Sequence, residues 1–288
     1  MILRRAQPWL GTRVEITAEG DAAAALVAAS NRAFARIAAI HDAMSFQDAA
    51  SELTRVNLGA QRDWTALSPD LAAVVAAALD FARASCGLFD PSIAGRLVAS
   101  GHLPRHPGFP AHPLTGWQAI ELDGDRVRYR APLLVDLSGI AKGYAVDAAL
   151  ASLVEAGVAA ATVNAGGDLA RAGAAAVPVY VRLPQNPATS LRLAELANGA
   201  AATSADYFQP GHLCHPQTGD ALCTTSSVTV FAADCLRADA LTKPVAADPA
   251  RAPALLARYG AQAIRLDTHG AWVGDADGWR ALPLEVAA

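Results

Sequence analysis

Val135-Asp136-Leu137-Ser138-Gly139-Ile140-Ala141-Lys142-Gly143-Tyr144-Ala145-Val146-Asp147 reads as a strand that ends in a carboxylate and passes through a turn of small residues into a helix. Small residues let a ligand approach the backbone, and a helix N-terminus attracts anions. Lys142, at the start of that helix, adds positive charge where a phosphate would lie. The same stretch also fits an ordinary tight turn with a solvated lysine, so its chemistry has to be judged from the rest of the chain.

Working outward toward the C-terminus, residues 142–157 read as helix and residues 160–163 as a strand that runs into Asn164-Ala165-Gly166-Gly167-Asp168. Residues 179–182, 191–196 and 227–231 read as further strands, and residues 233–242 and 252–259 as helices. Toward the N-terminus, residues 12–17 alternate as a strand does. Residues 21–43 place Leu26, Ala29, Phe34, Ile37 and Ile40 near helical spacing. Ser68-Pro69 starts another helix, with Ser as cap and Pro in the first position, ending near Cys86-Gly87. Residues 119–122 and 126–130 flank Asp123-Gly124-Asp125 as a hairpin, and a turn then leads into residues 133–137. Residues 101–113 hold Pro104, Pro107, Pro110 and Pro113 beside His102, His106 and His112, the composition of a surface loop. Strands and helices do not alternate strictly, so the fold class is α+β, with mixed, largely antiparallel sheets and flanking helices, in place of a doubly wound parallel sheet.

A chain of 288 residues, 53% hydrophobic and 17% charged, buries a sizeable core. We expect one domain over residues 1–288. Aromatics make up only 6% of the chain, so Ala, Val and Leu must build that core. A net charge of -4 and a pI near 6.0, with no basic run, argue against nucleic acid as a partner. Cys86, Cys214, Cys223 and Cys235 contain no Cys-x-x-Cys pair, which removes support for a zinc knuckle or thioredoxin-like site. No uninterrupted apolar run reaches the length of a transmembrane segment. Arg4-Arg5 is not followed by the apolar stretch of a secretory signal. As given, the chain reads as cytoplasmic, or as periplasmic if a leader has been removed. Gly-x-Ser-x-Gly, P-loop, Gly-x-Gly-x-x-Gly and His-Glu-x-x-His patterns are absent.

The opening stretch resembles the Asp-Leu-x-x-Ile-Ala-Lys-Gly-x-x-x-Asp block of the FAD:protein FMN transferase (ApbE) family, and further blocks follow in that family's order. Leu10-Gly11-Thr12, Met44-Ser45-Phe46, Ser51-Glu52-Leu53-Thr54-Arg55-Val56-Asn57, Gly87-Leu88-Phe89-Asp90-Pro91, residues 163–168, Thr203-Ser204 with Asp206-Tyr207, and His212 through Gly219 all match. The likeness covers roughly residues 8 to 246, and an ordered set of blocks is far more specific than any one motif. It implies a two-lobed fold with the ligand site between lobes. It also implies a flavoprotein transferase that moves FMN from FAD onto a Thr or Ser hydroxyl of an acceptor protein, a redox-complex subunit by the family's habit, with release of AMP.

What the resemblance implies for single residues follows from the matched positions. FAD would lie across Asp136 and Lys142, with Leu10, Met44, Leu88, Phe89, Asp90 and Cys214 lining its flavin and adenine ends. Without the family, core packing is the better reading for Met44, Leu88 and Phe89. Mg²⁺ would be held by the Gly139 carbonyl and by the helix face of Asp239, Thr242 and Lys243, which are spaced i, i+3 and i+4. Lys243 stands where the commoner pattern has Thr, and an ammonium does not ligate a metal. Either Thr242 shifts in as ligand, or Lys243 itself supplies part of the cation's charge; an Asp239 to Lys243 helix pair is the bland alternative. His212 takes the place of the family's functional histidine, and His215 replaces an Asp. Two other functions stay open at this point: an FAD-binding protein without transfer, and an Mg²⁺-dependent FAD pyrophosphatase.

Overall fold

β1 (Ile2–Trp9) and β2 (Thr12–Glu19) form an antiparallel hairpin, in register from Ile2 opposite Glu19 to Trp9 opposite Thr12. Leu10 and Gly11 are its two-residue turn, both left-handed at φ 56° and 70°, the geometry that matches the twist of paired strands. Glycine enters that region freely, whereas Leu10 is held there against its own Cβ. The structure, a computed structural model, describes residues 1–184, 186–205, 213–220, 222 and 225–283. The chain forms two compact units, the first made of Met1–Ala38, Lys142–Leu213 and Ala221–Ala288, the second of Ala39–Ala141 and Cys214–Asp220.

α1 (Ala23–Met44) is, among the described residues, the one helix long and apolar enough by composition to cross a bilayer. Its Leu26, Ala29, Ala33, Phe34 and Ile37 are buried in the core of the first unit, which is the commoner fate of such a face.

In the second unit, α2 (Glu52–Gly59) begins at Ser51, whose Oγ accepts the Thr54 N–H at 3.0 Å. β3 (Thr65–Ala66) precedes α3 (Pro69–Ala84), which starts as its sequence requires: the Ser68 Oγ accepts the Leu71 N–H at 3.4 Å and Pro69 needs no donor. α4 (Ala94–Ala99), β4 (Ile120–Asp123) and β5 (Arg126–Tyr129) follow, and the three strands pair antiparallel in the order β3-β5-β4. The hairpin around Gly124 is therefore where the sequence places it.

Residues 133–137, expected as a strand, are not one. Two isolated bridges, Leu114 with Leu133 and Ile93 with Leu134, are their whole ladder. Side chains take the place of a partner strand. The buried Asn57 amide donates to the Val135 carbonyl at 2.8 Å, accepts the Val135 N–H at 2.8 Å and accepts the Tyr129 hydroxyl at 3.1 Å. Gln61 donates to the Leu133 carbonyl. An extended segment satisfied by amide side chains, here Asn57 and Gln61, carries the same short apolar run as a buried strand. Asn57→Ala leaves three buried polar groups unpaired, so it should cost about 2 kcal/mol or more. We expect a melting point lower by roughly 4 to 8 °C, and an unchanged one would show that water replaces the amide.

The chain returns to the first unit through α5 (Ala141–Glu155) and then β6 (Ala160–Ala165), β7 (Asp168–Ala172), β8 (Val177–Leu183), β9 (Asn186–Leu196), β10 (Gly199–Ala205) and β11 (Ser227–Ala232). α6 (Cys235–Ala247), α7 (Ala252–Tyr259), β12 (Gln262–Asp267), β13 (Gly270–Asp275) and β14 (Gly278–Ala281) complete it. Nine strands make one sheet in the order β1-β2-β6-β7-β10-β11-β12-β13-β14, every neighbouring pair antiparallel. The α+β class with antiparallel sheets is thus what the molecule has. β8 and β9 form a separate two-stranded ribbon whose Val181, Leu183, Leu191 and Leu193 pack with Ile264, Leu266 and Val273 of the large sheet. Inward residues of β2, β6, β7 and β10, namely Val14, Ile16, Val163, Ala170 and Ala202, meet Val146, Ala149 and Leu153 of α5 and Ala238 of α6. Small side chains there let α5 and α6 lie close to the sheet and to each other.

Candidate functional site

In the first unit the first turn of α5 lies directly against the first turn of α6. A methyl group on Gly143 would sit 2.3 Å from the Cys235 carbonyl oxygen and 2.9 Å from the Leu236 Cα, so only glycine fits. Asp147, one turn further along α5, accepts the Cys235 and Leu236 N–H groups at 2.8 Å each. Asp147, the last residue of the stretch Val135 to Asp147, is therefore a staple between two helices, satisfying amides that α6 cannot satisfy internally. Burial pushes the Asp147 carboxyl up to about 6, while those two amide hydrogen bonds pull the other way.

This junction fixes Asp239 beneath the start of α5. Its Oδ2 accepts the Gly143 N–H at 3.1 Å, and its Oδ1 takes the Lys243 ammonium, which also donates to the Asp239 carbonyl at 2.8 Å. An anion does occupy the N-terminal turn of α5, and it is the protein's own carboxylate. Asp239 is 1% exposed. Burial opposes its charged form, but Lys243 and Lys142 outweigh that and hold the carboxyl below its ordinary value.

A second pair stands in the same place. β6 and β7 are joined through Gly166 and Gly167, at φ 66° and 107°, with the Asn164 Oδ1 accepting the Gly167 N–H at 2.9 Å. That tight connection puts Asp168 at the first position of β7, buried, where its Oδ2 accepts from Lys142 Nζ at 2.6 Å. Burial works against the Lys142 ammonium, yet Asp168 and Asp239 reverse the balance and keep its pKa raised. The result is a nearly dry group of two carboxylates and two ammoniums, with Lys142 the more open of the two lysines at 34% against 18%.

Thr242 lies against this group but turns away from it. Its hydroxyl donates to the Asp239 carbonyl at 2.7 Å and meets the Ser204 Oγ of β10 at 2.7 Å. Pro244, inside α6, offers no N–H to the Ala240 carbonyl, and the side chains of Thr242 and Lys243 crowd the turn just before it.

These positions test whether a hard divalent cation suits the residues present. Such an ion takes six oxygen ligands in near-octahedral order, with its charge met by carboxylates. Here both oxygens of Asp239 already accept from donors, the Thr242 oxygen is engaged on two sides, and Lys243 brings a positive charge to the spot. Among the described residues no three His, Cys, Asp or Glu side chains are grouped to hold a metal. The donor set at Asp239 does not fit a divalent ion.

The remaining candidates from the sequence fall elsewhere. Leu10 packs on the core of the first unit beside Trp9, at the turn described above. Met44, Leu88, Phe89, Asp90, Asp136, Gly139 and Cys214 belong to the second unit. Met44, Leu88 and Phe89 are buried, and the Phe89 ring lies 6.0 Å from that of Phe81. Asp90 folds its own loop, accepting the Ser92 N–H at 2.8 Å, the Ser92 hydroxyl at 2.7 Å and the Trp117 N–H at 3.4 Å. Asp136 accepts from both the backbone and the hydroxyl of Ser138, at 3.2 and 2.5 Å, and its own N–H donates to the Pro91 carbonyl at 2.8 Å. Gly139 follows in the same turn. Cys214 is a half-buried free thiol, its pKa raised by burial and only partly restored by Arg96.

His212 lies outside the described residues. His215, in place of the family's Asp, closes the following turn as a carboxylate would: its Nδ1 accepts the Gln217 and Thr218 N–H groups, both at 3.3 Å. The residues that sequence reasoning did not assign are Asp168, Ser204 and Asp147. Asp168 had a signal, since a carboxylate directly after Gly166-Gly167 ends a turn that carries the chain into the next strand.

The ApbE family profile matches residues 10–265. Among solved structures, the ApbE protein of Thermotoga maritima superposes with a TM-score of 0.82 at 23% identity, covering 98% of this chain and 97% of that one. The flavin transferase ApbE of Vibrio cholerae gives 0.78 at 22% identity, covering 99% and 97%. The flavinyl transferase ApbE of Pseudomonas stutzeri, in its apo form, gives 0.78 at 24%, covering 98% and 94%. A search of curated protein sequences finds no match.

Proposed function

The chain belongs to the ApbE family, and from that premise we propose that it is an FAD:protein FMN transferase. FAD is the substrate, and a protein bearing an accessible Thr or Ser is the acceptor. The observation that carries the reading is the Lys142 ammonium, one-third exposed at the first turn of α5 and held there by the buried Asp168 carboxylate, in a family whose solved relatives include proteins named flavin transferases.

In the reaction, the acceptor hydroxyl oxygen forms a bond to the FMN-side phosphorus while the bond from that phosphorus to the oxygen bridging the two phosphates breaks. AMP leaves with that oxygen, and the hydroxyl proton goes to a base. Phosphoryl transfer of this kind is mostly positioning and charge neutralisation. Lys142, the more solvent-open of the two ammoniums, is the group we assign to the diphosphate. Asp168 holds its Nζ in place and keeps it protonated. We assign the base to His212, by its place in the block His212 through Gly219.

The test mixes the purified chain with FAD and a flavin-acceptor domain. Transfer leaves a fluorescent acceptor band on a denaturing gel and one AMP per band. FAD bound without either product would establish a binder, and AMP released without acceptor a pyrophosphatase. His212→Ala should slow transfer about 10²-fold, the lower end for loss of a positioned base; transfer at the normal rate would remove the histidine from that role.

A further inference from the structure

The four charges at the start of α5 balance without help. Asp168 and Asp239 contribute two negatives, 2% and 2% exposed at the side chain, and Lys142 and Lys243 contribute two positives. With an uncharged residue such as Thr at position 243, three charges would remain, one negative in excess, beside carboxylates only 2% exposed. A cation would be drawn in. With Lys, the vacancy is filled by an ammonium tethered four residues from Asp239, bonded to both its carboxylate and its carbonyl. Adding a divalent ion to the protein before FAD binds would leave the group with two uncompensated positive charges, at a high cost where the effective dielectric is low.

We infer that the Lys243 ammonium is this chain's built-in cation, occupying the position at Asp239 where a divalent metal would otherwise sit, so that the protein binds FAD without one. The inference rests on the diphosphate-binding reading above and narrows it. Three observations carry it: the Lys243–Asp239 contact, the engagement of Thr242 with Ser204 and its own helix, and the lack of a grouped metal-ligating set among the described residues.

The experiment uses the full chain, stripped with EDTA and desalted. Mn²⁺ is titrated and read by electron paramagnetic resonance, and FAD is titrated by fluorescence in EDTA and in Mg²⁺. For the wild type we expect no stoichiometric Mn²⁺ binding below about 1 mM and FAD affinity in EDTA within about threefold of that in Mg²⁺. Lys243→Thr should take up one Mn²⁺ at least about tenfold more tightly, and should lose about tenfold in FAD affinity in EDTA and regain it with Mg²⁺. One tightly bound Mn²⁺ in the wild type, or FAD binding that collapses in EDTA, overturns the inference. If Lys243→Thr fails to fold, the wild-type titrations decide it alone. The transferase reading is judged separately: FAD bound normally with no transfer to an acceptor would sink that reading and leave the role of Lys243 standing.

Discussion

Gly143→Ala should abolish the folded protein, or leave it so weak that it is recovered mainly as aggregate. The added methyl would lie 2.3 Å from the Cys235 carbonyl oxygen and 2.6 Å from its carbon, and backbone atoms of a helix stapled by Asp147 have nowhere to go. Ordinary overpacking costs about 1 to 3 kcal/mol. A clash with backbone on both sides exceeds that, and we expect about 4 kcal/mol or more, within the range reserved for diagnostic substitutions. Separating the two helices also withdraws the Gly143 N–H from Asp239, so any soluble fraction should bind FAD poorly. Gly124→Ala is the control. That glycine is left-handed at φ 59° but faces open space, so the change should cost only about 1 kcal/mol. Melting curves that rank the two variants equally would mean that the helix junction is softer than the distances indicate.

Lys142→Met is expected to act twice. It leaves Asp168, 1% exposed, without its nearest counter-charge, and an uncompensated buried carboxylate is costly. Lys142 is about one-third exposed and Lys243 still faces the group, so the loss should be about 2 kcal/mol and not the full value for a dry pair. FMN transfer should fall about 10³-fold, the scale for removing one preorganised charge from a phosphoryl-transfer centre. Lys142→Arg separates the two effects. It keeps the charge, so most of the stability should return, while its planar fork cannot place a point charge where the ammonium was, so transfer should stay well below normal. If Lys142→Met transferred FMN at the parent rate, the lysine would be a structural partner of Asp168 and nothing more.

Much of this is legible in the sequence. Helices with strong local signals appeared where expected: Ser68 and Pro69 start α3, and the span of α7 matches its reading to the residue. β1 was missed because Arg4, Arg5 and Pro8 break the usual strand composition. It survives as an edge, where Pro and charge are tolerated. β7, β10 and β12 to β14 were missed for another reason. β7 and β10 are rich in Ala, and β13 and β14 contain Gly, residues depleted in strands, so pairing within the sheet and not local composition makes them strands; β12, Gln262–Asp267, has no such excess. Residues 133–137 show the converse difference, since a short, nearly continuous apolar run reports burial on two sides and does not say whether a strand or an Asn side chain provides the hydrogen bonds.

In the candidate site, Lys142, Asp239, Thr242 and Lys243 were picked out in advance, and the structure brings them together. Their contacts were another matter. Spacing of i and i+4 allowed the Lys243–Asp239 pair, but nothing local announced that Gly143 would donate to Asp239 or that Asp168 would take Lys142. Those partners are supplied by β7 and by the meeting of α5 with α6, which no window of sequence contains.

The large sheet carries a cost in time. β2 has Val14 opposite Ala165 of β6, yet the whole of Ala39–Ala141 is synthesised between them. At ribosomal speeds of about 5 to 20 residues per second, the first hairpin waits on the order of 10 s for its neighbour. Throughout that delay Val14, Ile16 and Ala18 have α1 beside them but neither β6 nor α5, so the nascent chain is most exposed to misassociation while its first hairpin and helix wait for the rest of their core.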